Sequence, residues 1–241
     1  MLWTIGILLF IAIVTGDSPF LVEDLDKYVK HHVADETRKD KVLDYLKEAK
    51  AIRKKTAKAN KDLVKQYGKI EHSREATKQE FEKLKTETLN AQMASQKANV
   101  YAIQNSQNYI TKEEWTEIEK DIAKSFEKSN KKTQKSNEKL NKQFVKWEAK
   151  IKKVISDKEK RKQAIAAVER LRTTYINNKK KVQEELINHE SAIFQYKAPE
   201  AKLKEVQDGY IDLLKELLDV TQETHFKLVE LTTPEEWNKI N

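Results

Sequence analysis

The sequence predicts an all-α protein: a coiled-coil-like bundle of long antiparallel helical hairpins, two tandem repeats behind an N-terminal hydrophobic segment. Three observations carry that expectation. Charged residues make up 36% of the chain while only 4 Gly and 3 Pro occur in 241 residues, which suits long helices and leaves few of the tight turns that sheets need. Leu203, Val206, Tyr210, Leu213, Leu217, Val220, Thr224, Leu228 and Leu231 recur in steps of three and four, the rhythm of a helix face buried against another helix. The octapeptide Thr111-Lys-Glu-Glu-Trp-Thr-Glu-Ile118 returns 122 residues later as Thr233-Pro-Glu-Glu-Trp-Asn-Lys-Ile240, with Thr, both Glu, Trp and Ile coincident.

Residues 2–15 form an isolated apolar run, short for a membrane span and right for the hydrophobic region of a signal peptide. The alternative is a retained anchor extended through Pro19-Phe-Leu-Val22, with Asp17 interrupting it. The expected organisation is a signal peptide or anchor at 1–16, a hairpin repeat at 17–120, a basic connector at 121–142 and a second hairpin repeat at 143–241. With no Cys there is no disulfide framework and no thiolate chemistry.

Along the first repeat, Leu21, Leu25, Tyr28, Val29 and Val33 stand at helical spacing, and Asp35 is placed to cap the helix that follows. A long arm is expected from about Glu36 to Ile70, a turn marked by Gly68 and Ser73, and a return arm along Phe81, Leu84, Thr88, Ala91, Ser95, Ala98, Ala102, Ser106 and Tyr109. Moving 122 residues on, Ile151 answers Val29, Ile155 answers Val33 and Asp157 answers Asp35. The second long arm is expected over about 158–193, its turn is marked by Ala198-Pro199, and the return arm carries the heptads above. The first return arm keeps the seam with smaller side chains, so at roughly 25 cal/mol per Å² of apolar burial it should be the weaker of the two. Helix breaks are expected near Ser129-Asn130 and Ser156-Asp157, where helix-neutral residues cluster.

The repeated octapeptide reads as a helix start. Thr233 is the cap, Pro234 occupies the first helical position and Glu236 can reach back to the Thr N–H; Thr111 and Glu114 repeat the box without the Pro. Ile110 and Trp115 are spaced as a hydrophobic staple. Trp115 and Trp237 are therefore read as plugs closing a helix corner ahead of docking handles, and the paired carboxylates as capping groups ahead of an acid catalyst.

Charge is uneven. From Lys120 to Val182 there are 21 Lys or Arg and 7 Asp or Glu, a local +14 that leaves −6 on the rest. Lys131, Lys132, Lys135, Lys139 and Lys142 are the candidates for contact with an anionic membrane or envelope polymer. Nucleic acid is disfavoured, because the chain has six Arg and few aromatics in its basic stretch. No two of the five His stand four residues apart and no Gly-rich phosphate loop occurs, so no metal, cofactor or catalytic residue is expected.

Leu231-Thr-Thr-Pro-Glu-Glu236 resembles the Leu-Thr-Pro-x-Gln helix start of small periplasmic stress chaperones of the Spy type. The likeness covers only this short stretch of a much longer chain and lacks the Gln, so it assigns no family. The function expected is an exported, non-enzymatic helical scaffold or protein-interaction module of the cell envelope, membrane-anchored if residues 2–22 are retained. Its seams close within one chain or between copies in a homo-oligomer. The alternative is an envelope chaperone or pore-forming protein whose thinner seam opens.

Overall fold

A computed structural model describes residues 24–187 and 195–240, and every regular element among them is a helix. In order these are α1 (Leu25–His32), α2 (Glu36–His72), α3 (Lys78–Ser106), α4 (Lys112–Val154), α5 (Lys158–Ile187), α6 (Glu200–Leu231) and α7 (Pro234–Ile240). The apolar run at 2–15, its extension to Val22 and the last residues of the second long arm lie outside the described residues. No helix among those described is long and apolar enough to cross a membrane.

Local chemistry sets the boundaries. Asp35 accepts from the Arg38 N–H at 2.8 Å and Asp157 from the Lys160 N–H at 2.8 Å, starting α2 and α5. Just before each cap the chain bends: Val33 and Ile155 both leave the helix with extended backbone, and their N–H groups close the preceding turn on Val29 and Ile151. α3 starts on a capping box formed by Thr77 and Glu80, whereas α6 starts after Pro199, which offers no side-chain acceptor.

The long helices pair antiparallel. Tyr67 meets Phe81 at one end of α2 and α3, and Tyr45 meets Tyr101 and Tyr109 at the other. Thr224 donates to the Ala167 carbonyl and Asn178 to that of Leu213, which fixes the same sense for α5 and α6. α3 and α6 also run antiparallel: Lys85 pairs with Asp219 at 2.7 Å, Phe81 packs on His225 and Phe226, and Gln107 bonds to residues 195 and 197.

Two expectations need correction. α4 runs unbroken for 43 residues, about 65 Å at 1.5 Å per residue, through the break expected near Ser129-Asn130. Ser and Asn cost a helix only a few tenths of a kcal/mol each, and with no Gly or Pro nothing there stops it. The stretch 121–142 is thus part of a continuous helix. The seam of α6 is also wider than its heptads imply: Gln207, Leu214, Leu218, Thr221 and His225 are buried, while Leu213 and Val206 are only half-buried. A heptad read for one neighbour misses the second stripe that a helix needs when, like α6, it packs between α5 and α3.

The apolar core gathers at two corners. One holds Val29, Val33, Val42, Ile103, Ile110, Trp115 and Ile118, joined by Ala198 and Leu203 from the α5–α6 turn and α6. The other holds Ile151, Ile155, Val168, Leu228, Leu231, Trp237 and Ile240, joined by Tyr67, Phe81 and Leu84 from the opposite pair.

Candidate functional site

The two corners are where the chain concentrates its unusual residues. At the first, the Thr111 hydroxyl accepts from the Glu114 N–H at 3.2 Å and the Glu114 carboxylate accepts from the Thr111 N–H at 2.9 Å. At the second, Thr233 and Glu236 make the same two bonds at 3.2 and 2.9 Å. Each carboxylate also takes an N–H from the bend before the long helix, Ala34 for Glu114 and Ser156 for Glu236. One side chain thereby ties a helix start to a helix stop.

Electrostatics separates the corners. Arg38 grips Glu114 with both ends of its guanidinium, at 2.7 and 2.9 Å, and reaches the Tyr109 carbonyl at 3.0 Å. The Arg38 hydrogen bond, with the N–H donors, holds the Glu114 carboxyl below its usual range against the opposing effect of burial. Lys160 occupies the matching position beside Glu236, whose carboxyl is lowered chiefly by the Thr233 N–H. A point charge there replaces a two-pronged clamp.

Both indoles are buried. Trp115 is 1% exposed among Val29, Val33, Val42 and Ile118; Trp237 is 3% exposed and donates from Nε1 to the His72 carbonyl at 3.3 Å. Each corner receives the turn of the opposite helix pair. Arg74 donates to the Thr232 hydroxyl at 3.1 Å, and at the other corner the Tyr196 hydroxyl donates to the Ile110 carbonyl at 2.9 Å. Arg74 and Tyr196 are 122 residues apart, as are Ile110 and Thr232, so the two contacts share register while differing in chemistry. Lys197, at φ 53°, adopts a left-handed conformation there, and its N–H is held by the Gln107 side chain at 2.7 Å. Sequence reasoning missed this mutual docking, since nothing local to Arg74 or Tyr196 names a partner so far along the chain.

His225, buried at 5% exposure, lies against Phe81, Phe226 and Trp237. Burial brings its pKa down to about 4, so the ring is neutral at physiological pH. The Thr77–Glu80 capping box was also missed, although its Thr-x-x-Glu spacing is the same signal that located the other two.

The candidate lysines Lys131, Lys132, Lys135, Lys139 and Lys142 all fall on α4. Lys135, Lys139 and Lys142 are exposed, turned away from Leu140 and Phe144, which are buried in the core. Among the described residues no group of three or more His, Asp or Glu is placed to hold a metal ion.

No protein-family model, curated protein or solved structure matches this chain.

Proposed function

We propose that the chain is a tandem duplication of one helical hairpin unit, serving as an exported, non-enzymatic scaffold or protein-interaction module of the cell envelope. The observation that carries the reading is the recurrence of helix ends at one offset. Helices stop at 32 and 154 and start at 36 and 158, at 78 and 200, and at 112 and 234, each pair 122 apart. Reciprocal docking of each turn on the opposite corner makes one frame out of the two units, with long helix faces left for partners and the lysine face of α4 for anionic surfaces. The apolar run at 2–15 supports export, by cleaved signal or retained anchor.

Cell fractionation with mass determination of the mature N-terminus tests the address, and capture from native envelopes tests for a protein partner. Recovery of full-length protein in the cytosol contradicts export. A second reading, as an envelope chaperone or membrane-active protein, is favoured by one feature: α3 buries Gln96 and Asn99 with side-chain atoms left without hydrogen-bond partners among the described residues, a seam poised to open. Suppression of client aggregation, or leakage of vesicle contents, would favour it over the scaffold.

A further inference from the structure

We propose that the groove between α1 and α2 is a docking site for an acidic peptide segment that presents an aromatic side chain beside a carboxylate. The proposal deepens the interaction-module reading and rests on it. The groove has an apolar floor of Leu25, Leu43 and Leu46, and Lys30, Lys47, Lys50 and Arg53 line it with Asp26 as the one acid. Its volume is about 220 Å³, below the roughly 300–1,000 Å³ of pockets for drug-sized ligands and suited to one large side chain. Among the described residues Lys30, Lys47 and Lys50 make no ion pair.

The second unit shows what completes such a site. Leu25 corresponds, 122 residues on, to Trp147; Asp26 to Glu148; Lys50 to Arg172. Trp147 packs against the core together with Ile165, the counterpart of Leu43, and Glu148, 9% exposed, stands 3.5 Å from Arg172. There an indole and a carboxylate from adjacent residues meet an apolar surface and a cation within the chain. In the first unit the indole is a leucine, the carboxylate is the shorter Asp26, and Glu169 is replaced by Lys47, which leaves room and surplus positive charge in the same place. An aromatic residue flanked by carboxylates supplies both missing parts.

The test uses the full chain with isotope-labelled amides and the blocked peptide Glu-Trp-Glu as probe, with Lys-Trp-Lys as control. Saturable shifts confined to residues 25–53 are expected with the acidic peptide only, weakening with salt. Lys47→Glu with Lys50→Glu should weaken binding about tenfold or more. Leu25→Trp, which copies the second unit, should close the groove to the peptide; because Leu25 is buried, unchanged thermal melts certify that variant, and the exposed lysine pair carries the test without it. Equal response to both peptides, shifts elsewhere, binding only to vesicles of acidic phospholipid, or self-association that masks residues 25–53 would each overturn the proposal. If the peptide fails while wild type and the lysine variant capture the same envelope partners, the interaction module stands and the groove is removed from it.

Discussion

At positions 122 apart, α3 buries Thr88, Gln92, Ser95, Gln96, Asn99 and Ser106 where α6 buries Tyr210, Leu214, Leu217, Leu218, Thr221 and Leu228. Both helices nonetheless pair with a long partner over most of their length. The difference shows that the frame does not depend on an apolar seam everywhere. In the N-terminal pair the apolar burial lies at the ends, with Tyr67, Phe81 and Leu84 at one and Val42, Ile103 and Trp115 at the other, and the polar middle is carried between them. In the C-terminal pair the middle itself is apolar, with Val168, Leu171 and Tyr175 of α5 in one buried cluster with Tyr210, Leu214, Leu217 and Leu218 of α6. Burial there pushes the Tyr175 hydroxyl up to about 12.

Substitution at matched positions measures that contrast. Leu217→Ala deletes methylenes from a fully packed site and should cost about 2–5 kcal/mol, while Ser95→Ala, its counterpart, should stay within roughly 1 kcal/mol; urea unfolding of the two variants compares them directly. Equal losses would show that the two seams are packed alike.

The next effect is a pH dependence from His225, a titratable group on α6 with an apolar residue at the matching position of α3. His225 has Ile103 as its counterpart, and its neutral ring sits against Phe81 and Trp237 with Nε2 unpartnered among the described residues. Its pKa falls from 6.5 to about 4 in the folded chain, so the unfolded chain takes up the proton first. Stability from this group is therefore complete above about pH 6.5 and is lost as pH falls toward 4, by on the order of 3 kcal/mol. Denaturation midpoints at pH 7 and pH 5 should differ in the wild type and converge in His225→Ile. The lowered carboxyls of Glu114 and Glu236 act in the same direction at lower pH, their stabilisation being present above the ordinary Glu range and lost as pH falls through their folded values.

Gln96→Leu installs the residue of the stronger seam, Leu218, in the weaker one. Gln96 is fully buried and neither of its amide atoms has a partner among the described residues, so removing it should stabilise the chain by about 1–3 kcal/mol. A destabilised variant would mean that the amide is satisfied in solution. Smallest are the caps: Thr111→Ala and Thr233→Ala should each cost about 1 kcal/mol, read as shifts in thermal midpoint.

How far the chain can be read without its structure follows from the range of each signal. Helix starts at Asp35, Thr111, Asp157 and Thr233 are local events, decided by a hydroxyl or carboxylate and the N–H three residues on, and were legible. The continuity of α4 was not, because Ser129 and Asn130 disfavour a helix too weakly to end one. The buried stripe Leu214, Leu218 and His225 was missed for a different reason: α6 has a second neighbour in α3, on whose Phe81 His225 packs, and the period of α6 alone cannot announce that element. The same limit hid the docking of Arg74 on Thr232 and of Tyr196 on Ile110.

Hydrogen exchange of backbone amides under native conditions tests the asymmetry most directly, because it reports the opening free energy of each helix in the intact chain. The account predicts that amides over 88–106 of α3 exchange through openings of lower free energy than those over 210–228 of α6, and that Gln96→Leu narrows the gap. Equal protection along the two helices, or greater protection of α3, would contradict it.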